Sequence, residues 1–529
     1  MNTLAGTGRL LRLGLRRDRV VIPVWVAVLI GFLMTTLSSY RKLYSTQAER
    51  DEYAAGLDGN AAARAFFGPV RDASTGGLTA WRLGMLGLAL AGVMAVLLVI
   101  RHTRAEEEEG RLELVGSGAV GRRAPLTAAL LVASAAAAVV GALAALVLAG
   151  EGAGGALAFG LTWTAGGLLF AAVAAVAAQV TENARAARGI AMTVLGVSFL
   201  LRAAGDASSG ARWLTWASPL GWLGEVRPYA GDRYWILLLP LGVAAALGAA
   251  AYALVERRDL GAGLVAPRNG PAAAPPRLRS PLALAWRLQR GGLAGWAAGF
   301  LVYGLVIGGV ADGVGDLVGD NADVGEVLTK LGGQSGIVDA YLATVNGLMG
   351  AIAALYGVQA ALRLRSEETG GRAEPLLATA VGRLRWAGGH LLVALAGTVV
   401  LLLVYGTAAG LAYGAAAGGT GGKVADAVGA ALAQTPAAWV VSAAALALFG
   451  LLPRATQAAW ALAGAFVLIG PLGPMLDLDQ AVMDLSPFTH VPKLPGGELT
   501  ATPLAVLAAV AGALVAAGLY GLRRRDITP

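Results

Sequence analysis

Residues Arg101–Arg123 read RHTRAEEEEGRLELVGSGAVGRR, a dense block of charge between two long apolar runs. A second block, Arg363–Arg385, reads RLRSEETGGRAEPLLATAVGRLR. With Arg104 laid on Arg365, ten of nineteen positions are identical. They are Arg104/Arg365, Glu106/Glu367, Glu107/Glu368, Gly110/Gly371, Arg111/Arg372, Glu113/Glu374, Ala119/Ala380, Val120/Val381, Gly121/Gly382 and Arg122/Arg383. Apolar helices resemble one another through composition alone, whereas a mixed-charge block with fixed glycines does not. Two further anchors recur at nearly the same offset. Ser218-Pro219 matches Ser486-Pro487, and Arg257-Arg258-Asp259-Leu260 matches Arg524-Arg525-Asp526-Ile527. The chain is an internal duplication, and its charged block is written once in each half.

The surroundings of the blocks set the class. Of 529 residues, 57% are hydrophobic and 14% charged, with a mean hydropathy of +0.65. That balance excludes an ordinary soluble globule. Twelve apolar stretches approach the length that crosses a bilayer: 20–39, 81–100, 125–149, 155–179, 189–204, 234–255, 293–311, 343–362, 387–410, 427–451, 457–474 and 503–522. The expected fold is an all-α polytopic membrane protein of about twelve transmembrane helices. Six spans per half leave both halves in one orientation, so they form parallel repeats. The first half is 1–260 with its block at 101–123, and the second is 282–529 with its block at 363–385. Between them, 261–281 is a Pro/Gly-rich cytoplasmic linker.

Basic residues set the orientation. With the N-terminus inside, the cytoplasmic segments hold 28 of the 41 Lys and Arg, so both termini are expected to be cytoplasmic. The net charge of +8 is then a topology signal and gives no support to a nucleic-acid partner. Residues 4–19 place Arg9, Arg12 and Arg16 at helical spacing, which suits a basic amphipathic helix in the membrane interface. The loop around Trp213, Trp216, Trp222 and Trp235 is expected to fold back at headgroup depth. Arg202, near the end of its span, is expected to snorkel to the headgroups. The acidic segment with Asp312, Asp316, Asp320, Asp323 and Glu326 fits no EF-hand loop and reads as a solvated face.

Little of the chain suggests catalysis. Absence of cysteine removes disulfides and thiolate metal sites. His102, His390 and His490 are scattered, with no partner at ligand or triad spacing. The string Gly418-Gly419-Thr420-Gly421-Gly422-Lys423-Val424 fails the phosphate-loop pattern, because Ala417 replaces the first glycine and Val424 the magnesium-binding hydroxyl. No catalytic, metal or nucleotide site is expected. What remains is the duplicated block: two copies imply one interaction made twice, as a symmetric dimeric partner beneath the membrane would require.

The segment E-E-x-x-G-R-x-E at 106–113 and 367–374, followed by V-G-R at 120–122 and 381–383, resembles the connection between the second and third spans of ABC-2 type exporter permeases. The similarity runs closest to the fused twelve-span actinobacterial kind associated with polyketide-ionophore export, tetronasin-like or narasin-like. AAARAFFGP at 61–69, ASPLGWLGEVRPYAGDRYW at 217–235, RRDLGAGL at 257–264 and EPLLATAVGRLRWAGGH at 374–390 extend the likeness over the full length. The copies differ where Pro375 stands for Leu114 and Thr369-Gly370 for Glu108-Glu109.

The resemblance implies a permease subunit of an inner-membrane exporter. It has no nucleotide site of its own, and two copies of a separate ATPase hold ATP and magnesium. Arg104, Glu106, Glu107, Gly110, Arg111, Glu113, Gly121 and Arg122 would seat on one ATPase copy. Arg365, Glu367, Glu368, Gly371, Arg372, Glu374, Gly382 and Arg383 would seat on the other. It further implies that spans two, five, eight and eleven line the path, with Met85, Met94, Met192, Phe199, Asn346, Met349, Tyr356, Trp460 and Phe466 as candidates. Their apolar character suits a hydrophobic or amphipathic cargo drawn from membrane lipid, such as a polyether ionophore. Competing readings are a proton-coupled secondary multidrug transporter, an exporter of lipids or glycolipids, and a lipid-modifying enzyme. The first lacks the G-x-x-x-D-R-x-G-R hallmark and a buried carboxylate relay. The last lacks a polar catalytic cluster.

Overall fold

The computed structural model describes residues 2–58, 61–116, 118–207, 209–259, 261–265, 273–311, 337–417, 419–472 and 479–526. Their regular structure is entirely helical, as hydrocarbon requires, since a helix satisfies its own backbone within one segment. Two compact units divide the chain, Met1–Gly270 and Pro271–Pro529. The acidic stretch from Asp312 to Glu326 lies outside the described residues.

Unit 1 begins with a surface helix, α1 (Thr7–Arg17), and the first span, α2 (Val21–Leu43). Two short helices follow, α3 (Gln47–Asp58) and α4 (Ala61–Phe67). Span α5 (Thr75–His102) starts where Ser74 Oγ accepts the Gly77 N–H at 3.0 Å, an N-cap. The charged block forms two short helices, α6 (Arg104–Glu108) and α7 (Arg111–Gly116). Spans α8 (Ala124–Leu148), α9 (Ala153–Val180) and α10 (Ala184–Ala207) come next. After α11 (Trp213–Ala217) and α12 (Pro219–Gly224), span α13 (Leu238–Arg257) closes the unit. Helices α5 and α9 form the centre, about two thirds buried or more, while α2, α10 and α13 show most of their surface. Leu88, Met94, Phe159, Trp163 and Phe170 fill the middle. Small residues line the α8–α9 seam, where Gly141 and Gly160 meet backbone to backbone.

Unit 2 holds α14 (Pro281–Ala311), α15 (Ile337–Ala361), the paired short helices α16 (Arg363–Thr369) and α17 (Ala373–Leu377), and the long α18 (Arg383–Ala417). Then come α19 (Thr420–Ala433), α20 (Thr435–Leu451), α21 (Ala458–Leu472) and α22 (Ala501–Arg524).

Eleven described helices are long and apolar enough to cross a bilayer, against the twelve expected. The shortfall falls at 457–474, where α21 has 15 residues. At 1.5 Å per residue the described part spans about 22 Å of a hydrocarbon core of about 30 Å; residues 473–478 are outside the described set. The shortest stretch, 189–204, instead belongs to a full 24-residue helix, α10. Charges interrupt its apolar run without interrupting the helix.

Arg202, on α10, corrects the snorkelling expectation. It is completely buried. Its Nε donates to Asp206 at 2.8 Å, and its other nitrogens donate to the carbonyls of Arg64, Ala65 and Phe66 at 3.3, 2.8 and 3.1 Å. Those carbonyls form the last turn of α4, where Arg64 O also accepts the Gly68 N–H at 2.9 Å, so Arg202 caps a helix C-terminus with a positive charge. The Trp loop does stay at the surface, with Trp213, Trp216 and Trp235 exposed.

Candidate functional site

Each charged block folds into an elbow between two spans. At the first, Thr103 ends α5, Gly110 takes a left-handed φ of 69° between α6 and α7, and the chain returns to α8 at Ala124. The second repeats this with Gly371 at φ 65° between α16 and α17. Both corners need that conformation, which glycine adopts without a Cβ clash.

Much of the repeated charge is spent inside the elbow. Fully buried Arg104 donates Nε to Ala178 O at 2.8 Å, Nη1 to Glu107 at 2.7 Å, and Nη2 to Ala262 O at 3.2 Å. Glu107 accepts a second guanidinium, that of Arg258, at 2.8 Å. Arg258 in turn donates Nε to Gln179 at 2.7 Å. Arg122 donates to the carbonyls of Val255, at 3.1 Å, and of Arg258. In unit 2, Glu368 is buried and accepts both terminal nitrogens of Arg525, at 2.6 and 2.8 Å. Arg383 donates to Arg525 O at 2.7 Å. The two latches use matching residues: Glu107 and Glu368, Arg258 and Arg525, Arg122 and Arg383. Each ties the elbow to the residues just past the last span of its own unit. The recurrence of Arg-Arg-Asp at 257–259 and 524–526 therefore has a structural meaning beyond marking the duplication.

Glu106 binds Arg17 at 2.7 Å and Arg111 at 2.9 Å, an arrangement that raises the Arg111 guanidinium through its hydrogen bonds to Glu106. Glu367 similarly binds Arg363 at 2.7 Å and Arg372 at 3.0 Å. Glu108 accepts the Ala184 N–H at 3.0 Å, capping α10. The surface left open on the first elbow includes Glu109, Arg111, Glu113 and Leu114, the last 78% exposed. On the second it includes Thr369, Arg372, Glu374 and Pro375. Of the repeated charges, Glu113/Glu374 and Arg111/Arg372 are exposed in both copies, and Arg122 is exposed in the first alone.

The copies also differ. Arg365 does not reproduce the buried cage of Arg104; its side chain is 28% exposed and stands 3.8 Å from Glu368. Gly121 packs so tightly that a Cβ would lie 2.2 Å from Thr3 O, whereas among the described residues Gly382 has open space at that position.

Among the path candidates, Met85, Met94, Asn346, Met349 and Tyr356 are buried, Met192, Phe199 and Phe466 are half-buried, and Trp460 is exposed. Asn346 Nδ2 donates to Leu494 O at 3.0 Å, and the Tyr356 hydroxyl to Val393 O at 3.4 Å. Met85 lines a cavity at the end of α5 remote from the elbow, floored by Trp81, Leu88 and Phe159. Its rim carries Glu225, held by Arg227 at 2.6 Å and by Arg71, whose guanidinium burial lowers despite that carboxylate. Sequence reasoning missed this rim, because its partners lie 154 residues apart.

The structure gives the histidines separate, structural partners: Asp18 for His102, Gln289 for His390 at 3.0 Å, and Asp484 O for His490 at 3.0 Å. Among the described residues, no group of three His, Asp or Glu is placed to hold a metal ion.

Comparison with known proteins agrees with this architecture. Residues 278–523 match the family model described as "Multidrug efflux system permease Rv1217c, C-terminal domain". The whole chain is similar to the multidrug efflux system permease protein Rv1217c of Mycobacterium tuberculosis (strain ATCC 25618 / H37Rv). The two are 47% identical over 525 residues, covering 99% of this chain and 95% of that protein. An all-helical membrane chain sharing that identity from end to end belongs to the Rv1217c family of multidrug efflux system permeases.

Proposed function

We propose that this permease is the membrane subunit of an ATP-driven exporter of the ABC-2 type. A separate ATPase, present twice and holding magnesium and ATP, docks on the elbows at 104–122 and 365–383. The observation that carries this reading is the doubled elbow: one latch, built from matching residues, holds each charged corner beneath a central span. Helix α5 runs unbroken for 28 residues into the first corner, a rod of about 42 Å. A push at the elbow is therefore a push on the rod, and through Arg258 on the end of α13 as well. Partner closure favours one arrangement of the spans only in so far as it binds that arrangement better. The elbows and both termini face the cytoplasm of a bacterial plasma membrane. The cargo is hydrophobic or amphipathic, with polyketide and polyether ionophores the favoured class, in keeping with the apolar path candidates.

Reconstitution tests this. Vesicles carrying permease and ATPase together should accumulate a polyether ionophore on addition of ATP, at least about tenfold over vesicles with either protein alone. Uptake by the permease alone, driven by a proton gradient, would overturn the reading.

A further inference from the structure

Helix α1 grips the first elbow at both of its ends. Ahead of it, residues 3–5 lie along the elbow's exit: the Gly121 N–H donates to Ala5 O at 2.9 Å and the Arg123 N–H to Thr3 O at 3.0 Å. Behind it, Arg17 donates to Glu106 at 2.7 Å, and the buried Asp18 carboxylate meets His102 and, at 3.2 Å, Arg101. Between these clamps Gly14 is buried, close against Val132 of α8. The opposite face carries Arg9, Arg12 and Arg16, all exposed and spaced three and four residues apart. Leu13 and Leu15 flank that face and are nearly half exposed. Three residues separate the end of α1 from Val21, which opens the first span. The helix is therefore held at the bilayer surface by its own chain.

Unit 2 is built differently. Its first helix starts at Pro281 and continues without a break to Ala311. The beginning of that helix rests on Gly389, within span α18, and no described residue beyond its chain neighbours comes within 4 Å of where a Cβ on Gly382 would lie.

We propose that α1 senses the charge of the membrane surface and sets the position of the first elbow alone. Its partner is the phosphate of anionic phospholipid headgroups. Guanidinium groups pair with phosphate in a bidentate manner, and a basic helix with exposed leucines binds an anionic interface through charge and apolar burial together. Headgroup charge draws α1 onto the bilayer. The clamps at Gly121 and Glu106 carry that constraint into 104–123, while 365–383 has no such connection among the described residues. Any effect on transport rests on the ATPase-docking reading; the local effect on the elbow does not.

The test places the full-length permease, without ATPase, in nanodiscs of phosphatidylcholine alone or mixed with phosphatidylglycerol, and follows amide hydrogen exchange. Phosphatidylglycerol should slow exchange across 104–123 at least about fivefold and leave 365–383 unchanged. The triple variant Arg9→Gln, Arg12→Gln, Arg16→Gln should lose the lipid response. Gly121→Ala should lose it too, with the arginines intact, because the Cβ displaces the clamp; Gly382→Ala should keep it. Equal exchange at 104–123 in both lipids, or the same slowing at both elbows, would overturn the proposal. Failure to find an ATPase partner would leave this result standing, so the two claims fail separately.

Discussion

Arg104→Ala should destabilise the protein by about 3–5 kcal/mol, while Arg365→Ala, at the matching position of the repeat, should cost about 1 kcal/mol or less. The difference follows from surroundings. Removing Arg104 strips buried donors from Ala178 O, Ala262 O and Glu107 at once. Glu107 and Ala262 O would keep Arg258, but Ala178 O would be left buried without its donor. Arg365 has one long contact, to Glu368, which keeps its bidentate Arg525. Arg104→Lys should not restore stability, since one ammonium cannot span acceptors that occupy Nε, Nη1 and Nη2. Thermal unfolding in nanodiscs reads the difference directly. Equal losses at the two positions would show that the first cage does not hold its elbow.

Arg202→Met should cost a similar amount, about 3–5 kcal/mol, and should raise hydrogen exchange in residues 61–67. A simple ion pair with Asp206 makes a different prediction. Replacing both partners of a pair can be nearly neutral, so Arg202→Met with Asp206→Asn should then recover most of the stability. The structure argues against recovery, because the Ala65 and Phe66 carbonyls at the end of α4 also depend on the guanidinium. The double variant should remain close to the single one. Recovery to within about 1 kcal/mol of the parent would reduce Arg202 to a pair partner of Asp206.

The helical class, the duplication and the place of both elbows were legible before any coordinates, because they rest on hydropathy and on repeated residues. The function of individual charges was less so. Glu107 and Glu113 look alike in a charge run, yet one is clamped between two arginines and the other is exposed. The clamp draws on the repeated Arg-Arg-Asp at the half ends, whose Arg258 sits 151 residues from Glu107. Arg202 defeated hydropathy for the same reason: an arginine near the end of a span reads as a snorkelling cation until its cage, built from residues 64–66, is seen. The stretch at 457–474 is as apolar as the other spans, and its described helix, α21, covers 15 residues.

The central claim is that both elbows receive the same kind of partner. The chain contains no cysteine, so Glu113→Cys and Glu374→Cys each place one reactive thiol on the exposed face of one elbow. With a short bifunctional reagent, both should cross-link to the ATPase in the assembled exporter, and the double variant should capture two ATPase copies per permease. Cross-linking at neither position, in a complex that still transports, would contradict the account.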